Sequence, residues 1–371
     1  MKNTSYKAIA FVLMICLLAL LTICAGAETM AKTTSARSGV LYEPSSGRFL
    51  YEKNATERLP MASTTKIMTA LIALECCDLE EDITVPKEAT GIEGSSLYLK
   101  EGDRVNIGDL IYALLLQSAN DAAELLALKI SGDIPSFASL MNEKAKDIGL
   151  VDTSFVNPHG LDSDGHFTTA KDLAILAGYA LDNPDFHNIC STYKHSMAVG
   201  DSIRTVVNHN KLITRYDGAI GVKTGYTRKC GRCLVGAAER DGIRLISVTL
   251  DAPDDWNDHA SMLDYGFSIL ETVKAEDIAP QLPTLPLIGG VCESMPLCIS
   301  TAANPIIKLK NEELTVELSL PRYVIAPIVE GEEIGELIII RDGQKSLRIP
   351  IVAGKSIDQN KPGGFFKRIF D

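Results

Sequence analysis

Nowhere does the sequence gather its basic residues. Its 36 Lys and Arg stand against 48 Asp and Glu, a formal net charge of −12. No Lys/Arg cluster interrupts that balance, which excludes a nucleic-acid binder, since phosphate recognition needs a basic surface. The composition of a disordered chain is also missing: 46% of residues are hydrophobic and 23% charged, as in globular proteins. A zinc site would have only half its ligands. Cys230-Gly-Arg-Cys233 has C-x-x-C spacing, but no second C-x-x-C and no H-x-x-x-H follows it.

What is present begins with an address. Lys2 and Lys7 precede the apolar run "AIAFVLMICLLALLTICAG", and Ala25 to Ala27 form a small-x-small cleavage pattern. Residues 1 to 27 therefore read as a secretory signal peptide with the mature chain starting near Glu28, although the run is nearly long enough for an uncleaved anchor. A lipoprotein site at Cys24 is the weaker reading, with Ile23 where a small residue belongs. Cleavage leaves seven cysteines, at 76, 77, 190, 230, 233, 292 and 298. An odd number outside the cytoplasm leaves at least one unpaired or paired between chains. Cys292 and Cys298 are spaced to close a short loop, and all seven are taken as structural or incidental.

With 371 residues the chain exceeds one hydrophobic core, so two domains are expected. Residues 36 to 58 alternate apolar and polar around "PSSG" and read as a β-hairpin. A buried helix follows, carrying Ile67, Met68, Leu71, Ile72 and Leu74. From about 80 to 210 the pattern is mainly helical; "TAKDLAILAGYAL" opens with a hydroxyl cap. From about 218 it turns strand-like, then returns to helix in "DDWNDHASMLDYGFSIL". The expectation is an α+β catalytic domain over 28–274, an antiparallel sheet flanked by helices with a helical subdomain inserted. The Pro-rich segment 275–290 reads as a linker, 291–356 as a C-terminal all-β domain, and 357–371 as a tail. That tail sets Phe365, Phe366, Ile369 and Phe370 at helical spacing, with Lys367 and Arg368 on another face, a possible membrane contact.

In "LPMASTTKIMTALIAL" three hydroxyl residues, Ser63, Thr64 and Thr65, open the buried helix, and Lys66 points inward. If Ser63 begins the helix, Lys66 lies one turn on, on the same face, so the serine oxygen and lysine nitrogen can meet. Apolar surroundings and the positive end of a helix lower the lysine pKa. A neutral lysine takes a proton from serine and makes it a nucleophile. Ser-x-x-Lys alone is common, and a capping serine with a snorkelling lysine explains it as well. Two further elements follow in order: Ser118-Ala119-Asn120 between helices, and Lys223-Thr224-Gly225 among strands, with Gly221 and Gly225 allowing close backbone approach.

Together these motifs resemble the penicillin-recognising serine acyltransferases, whose signature is Ser-x-x-Lys, Ser-Asp-Asn and Lys-Thr-Gly. The stretches "YEKNATERLPMASTTKIMTALIALE", "LLLQSANDAAELLA", "FVNPHGLDSDGHFTTAKDLA" and "IGVKTGYTRKCGRCLVGAAERDGIRLISVTL" look like the low-molecular-mass D-alanyl-D-alanine carboxypeptidases. The resemblance implies the penicillin-binding/β-lactamase-like transpeptidase fold with a C-terminal β domain. It also implies an extracytoplasmic enzyme that trims peptidoglycan stem peptides, is acylated by β-lactams, and needs no cofactor or metal. By motif, Ser63 is the nucleophile, Lys66 the general base and Ser118 the proton relay. Asn120 binds the substrate amide and holds Lys66; Lys223 and Thr224 with Gly225 receive the terminal carboxylate; the backbone N–H groups of Ser63 and Tyr226 form the oxyanion hole. Ala119 replaces the signature Asp, which fits carboxypeptidases better than class A β-lactamases. The second basic residue that often holds the carboxylate is missing from the acidic "APDDWNDHA", and Arg228 is a possible substitute.

Other readings stay open. A class A β-lactamase needs a Glu-x-x-Leu-Asn pattern, absent between 120 and 223; rapid penicillin hydrolysis would restore it. An endopeptidase uses the same residues, and a wall-bound protein without chemistry keeps the same fold. "HGLDSDGH" offers His159, Asp162, Asp164 and His166 to a metal, but its Gly-rich acidic character is equally that of a solvated turn, and the family segment it resembles is structural.

Overall fold

The computed structural model describes residues 33–300, 305–341 and 343–360; the leader and most of the tail lie outside them. The chain divides into two compact units, Met1–Arg240 with Arg244–Ile269, and Asp241–Ile243 with Leu270–Asp371.

The first unit is built on a five-stranded sheet. Strands β1 (Ser38–Glu43) and β2 (Arg48–Lys53) form the N-terminal hairpin. Its turn is closed by the Glu43 carboxylate, which accepts from the backbone N–H of Ser45 and Ser46, each at 2.8 Å. Far along the chain come β3 (Ala219–Thr227), β4 (Gly231–Arg240) and β5 (Ile243–Leu250). The order is β2-β1-β5-β4-β3. β1 pairs antiparallel with β5, Ser38 opposite Leu250, so the first and last strands of the unit share its centre. Asp241 and Gly242 join β4 to β5 with φ of 51° and 79°, the left-handed pair that a two-residue hairpin turn requires. β3 is left at the edge, and among the described residues no strand pairs with its outer side.

Helix α1 (Lys66–Cys76) is buried from Lys66 to Ala73, which is why it is apolar all round rather than striped. Around it pack α2 (Asn120–Ser131), Ile134–Ile148, α3 (Ala170–Leu181) and Pro184–Ser191. Thr169 caps α3, its hydroxyl accepting from Asp172 N–H at 3.0 Å. The stretch from 80 to 210 is less uniformly helical than its pattern suggests. Two small two-stranded sheets, Asp82–Thr84 with Arg104–Asn106 and Lys194–Val199 with Ser202–Val207, break it. Their strands of three and six residues are too short to set a period of their own.

The second unit is β-rich. Its largest sheet orders the strands Leu297–Ile299, Gln344–Ala353, Glu333–Arg341 and Thr315–Ser319 around Leu337, Ile339, Ile349 and Ile351. The linker reading of 275–290 is corrected. The segment holds a helical turn, Ala275–Ile278, and a strand, Leu285–Ile288, whose Leu285 and Leu287 enter that unit's core. Alternating leucines between prolines give a strand paired with Ser294–Met295 on one side and Val324–Ile325 on the other, and the prolines alone hid it. Among the described residues no helix is long and apolar enough to cross a membrane.

Candidate active site

The three hydroxyls at the head of α1 divide their work. Ala62–Thr65 is a 3₁₀ turn running into α1, and Ser63 sits inside it, so the α-helix begins only at Lys66. Thr64 Oγ1 donates to Met61 O at 2.6 Å and Thr65 Oγ1 to Ala62 O at 2.8 Å. Those bonds tie down the turn and leave the Ser63 hydroxyl to Lys66, 3.0 Å away. Thr65 Oγ1 lies 2.8 Å from His166 Nε2, while Val156 N–H donates to His166 Nδ1 at 3.0 Å. With Nδ1 accepting, the proton sits on Nε2 and is donated to Thr65. Burial lowers the His166 pKa to about 4, which keeps that neutral form.

Lys66 is completely buried, with Nζ 3.0 Å from Ser63 Oγ and 2.6 Å from each of two obligate acceptors, Asn120 Oδ1 and His159 O. Burial first, then the nearby Lys223 cation, hold its pKa well below the ordinary lysine range; Asp121 opposes them. A neutral amine has two N–H bonds and one lone pair. The two carbonyl acceptors consume both hydrogens, which leaves the lone pair for the Ser63 hydroxyl.

Asn120 starts α2 and does two jobs. Its Nδ2 donates to Glu93 O and its backbone N–H to Ser95 O at 2.7 Å, while Asp121 accepts from Leu97 and Leu99 N–H at 2.9 and 3.1 Å. These bonds fix the 93–99 segment, whose Ser95 lines the cleft. Ser118, two residues earlier, follows a π-helical turn, Ala113–Gln117, and takes φ 66°, ψ 33°. A non-glycine residue in that left-handed region is held there by its surroundings. Ser118 lines the same cleft as Ser63, a volume of about 560 Å³.

β3 forms the opposite wall. Lys223 is 1% exposed, and burial lowers its pKa to about 7. Its Nζ donates to Thr224 O at 2.9 Å. Gly225 is required by close approach: a Cβ there would stand 3.0 Å from both Ala62 Cβ and Ser63 N. Thr224, Gly225 and Tyr226 line the cleft.

Arg228 is not part of it. It lies exposed in the turn after β3, and the guanidinium on the cleft wall belongs to Arg232. In the hairpin Arg232 is directly opposite Tyr226. Its Nε donates to Asp255 Oδ2 at 3.0 Å, and its Cζ lies 6.0 Å from the Trp256 ring centre. The acidic "DDWN" stretch thus supplies the anchor for a cation rather than the cation itself. Pairing register across a turn decided this, and no local pattern in the sequence carried it.

The "HGLDSDGH" segment is likewise more than a solvated turn. Asp162, Asp164 and Gly165 are exposed, but Gly160 and His166 are buried, and the His159 carbonyl is one of the two acceptors on Lys66. Burial, with Lys66 nearby, lowers the His159 pKa to about 3, so its ring is neutral. Among the described residues no group of three or more His, Cys, Asp or Glu is placed to hold a metal.

Sequence and structure comparisons agree with this geometry. The D-alanyl-D-alanine carboxypeptidase (peptidase S11) family model matches residues 25–254, and that of the penicillin-binding protein 5 C-terminal domain matches residues 292–359. D-alanyl-D-alanine carboxypeptidase DacF of Bacillus subtilis (strain 168) is 33% identical over 357 residues, covering 92% of this chain and 91% of the relative. Penicillin-binding protein 5 of Haemophilus influenzae superimposes with a TM-score of 0.68 at 26% identity, over 88% of this chain and 99% of that one. Penicillin-binding protein D2 of Listeria monocytogenes, solved in its ampicillin-bound form, gives 0.58 at 33% identity over 63% and 98%. A buried lysine facing a serine at a helix head, a Lys-Thr-Gly edge strand and matches along most of the chain converge: the protein belongs to the D-alanyl-D-alanine carboxypeptidase family and has its α+β penicillin-binding fold, followed by a β-rich C-terminal domain.

Proposed function

We propose that this carboxypeptidase removes the terminal D-alanine of peptidoglycan stem peptides through an acyl-enzyme on Ser63. The observation that carries the reading is the Lys66 amine, whose two N–H bonds are taken by Asn120 Oδ1 and His159 O at 2.6 Å each and whose lone pair is left for Ser63. Lys66 takes the Ser63 proton as Oγ attacks the carbonyl carbon between the last two alanines. The oxyanion forms toward the N–H groups of Ser63 and Tyr226, each such donor contributing roughly 3 kcal/mol of transition-state stabilisation. Lys66 returns the proton to the departing amine through Ser118, and Asn120 bonds the substrate amide. Water then hydrolyses the ester. The terminal carboxylate rests against Thr224 and the field of Lys223, with Arg232, fixed by Asp255, as the second cation. β-Lactams acylate the same serine.

The substrate lies outside the cytoplasmic membrane, so the reading includes export directed by residues 1–27 and a membrane contact by the tail, which begins after Asn360 and not at 357, because Ile357 is buried in the core of the second unit and pairs with Ile328. The test is a time course of intact mass with benzylpenicillin, followed by D-alanine release from a pentapeptide. A lasting adduct of one drug molecule, absent from Ser63→Ala, is expected. Consumption of the drug without an adduct would make the protein a β-lactamase, and an untouched drug would make it non-catalytic.

The carboxylate assignment has its own check. Arg232→Gln should lower kcat/KM for the peptide about 10- to 100-fold, the contribution of a hydrogen bond to a charged group. Arg228→Gln should leave it unchanged. The reverse pattern would return the role to Arg228.

A further inference from the structure

The mechanism leaves one chemical group beside the cleft unused. Cys230 closes the turn after β3 and Cys233 is the third residue of β4, so the pair brackets Gly231 and Arg232. Both are free thiols and both are buried, at 4% and 1% exposure. They are neighbours across the turn: the Cys233 thiol donates to the Cys230 carbonyl at 3.9 Å, and hydrogen bonding from Cys233 and Thr227 lowers the Cys230 pKa to about 7, while the same pairing and burial raise that of Cys233. Thr227 Oγ1 lies 2.7 Å from Cys230 Sγ and accepts from Cys230 N–H at 3.2 Å. Burial raises the pKa of Cys76, Cys77 and Cys190, so Cys230 stands apart from them.

We propose that Cys230 and Cys233 are a modification site, a dithiol that a small disulfide converts to an intrachain disulfide, and that closing it slows acylation of Ser63. The effect on acylation rests on the function proposed above; the bond itself does not. The Cys230 thiolate attacks one sulfur of the reagent, forming a mixed disulfide and expelling a thiolate. Cys233, deprotonated, attacks the Cys230 sulfur and expels the second thiolate. The protein loses two electrons and two protons, and the reagent leaves as two thiols. The consequence follows from register. Cys233 is opposite Gly225, and Gly225 lies against the Ser63 backbone N–H, where even a Cβ would stand only 3.0 Å away. The ring closed by the disulfide also contains Arg232. Drawing Cys233 toward the turn therefore moves the wall that seats both the oxyanion and the carboxylate, and displacements near 1 Å at such positions cost about 10²-fold in rate.

The experiment treats the full mature chain with oxidised glutathione, maps peptides by mass, and measures benzylpenicillin acylation before and after. A peptide spanning 230–233 lighter by two hydrogens, acylation slower by about tenfold or more, and recovery with reductant are the expected results. Cys230→Ala should acylate normally and ignore the reagent; Cys230→Ser serves if the alanine variant folds poorly. Absence of the bridge, a bridge without a change in rate, or slowing that persists in the Cys230 variants would overturn the proposal. Reduced wild-type protein that fails to acylate at all would instead overturn the proposed function, and the bridge would still be tested by mass.

Discussion

Replacing Lys66 with Ala should slow benzylpenicillin acylation by about 10³-fold, the share a positioned general base supplies, while leaving a folded protein. The substitution leaves Asn120 Oδ1 and His159 O without their donor, a cost of about 1 to 3 kcal/mol each that a melting temperature reads apart from the rate. The pH profile separates loss of the base from general damage. Below its own pKa, which burial and Lys223 depress, Lys66 is an ammonium and takes no proton. The wild-type rate therefore falls as pH falls through that value, and Lys66→Ala should lose this acid limb. On the alkaline side Lys223, with a pKa of about 7, loses its charge as pH rises. Carboxylate binding then weakens, and peptide kcat/KM should decline. Near-normal acylation by Lys66→Ala would remove the general-base role. A flat peptide profile up to pH 9 would remove the cationic role of Lys223.

Gly160→Ala should be among the most damaging single-methyl changes in the chain. Gly160 has φ +88°, and a Cβ there would lie 1.9 Å from Ala62 O and 2.8 Å from Thr65 Oγ1. The clash is with the backbone of the 3₁₀ turn that holds Ser63, and this group cannot swing aside. Relief requires the 157–161 segment to retreat, which also withdraws the His159 carbonyl from Lys66. We expect a loss of about 4 kcal/mol of stability, a fall in Tm of about 10 °C, and acylation of the remaining folded protein about 10²-fold slower. Gly165→Ala is the control. It shares a left-handed backbone, φ +82°, but the nearest atom, Val156 Cγ2, is 3.7 Å away. Only the intrinsic conformational cost of about 1 to 2 kcal/mol should appear there. Equal melting temperatures for the two variants would show that the Ala62 contact carries no special weight.

The second experiment concerns a residue that the sequence analysis did not single out. A Gly-rich acidic segment between histidines has the composition of a solvated turn, and its middle is one. Its ends are packed under the catalytic turn, and the group used there is a backbone carbonyl, which every residue type possesses. No side-chain pattern announces it. Arg232 was hidden for a related reason: Arg228, Lys229 and Arg232 all follow Lys-Thr-Gly closely, and only the pairing across β3 and β4 decides which faces the cleft.

The sequence by itself determined the elements whose signals are local. Helix α1 shows in its apolar run, the first hairpin in its alternation about "PSSG", the cap of α3 in Thr169, and the nearness of Ser63 to Lys66 in a three-residue spacing that any helical turn converts to contact. The tertiary structure decided whatever depends on distant segments meeting. Lys66 is depressed by Lys223, fixed by Asn120 and His159, and cut off from solvent; those partners come from three parts of the chain 54 to 157 residues away (120 − 66 = 54; 223 − 66 = 157). A periodicity reports which side of a segment is buried. It does not report what stands on the other side, and at Lys66 the opposing groups set the charge and aim the lone pair.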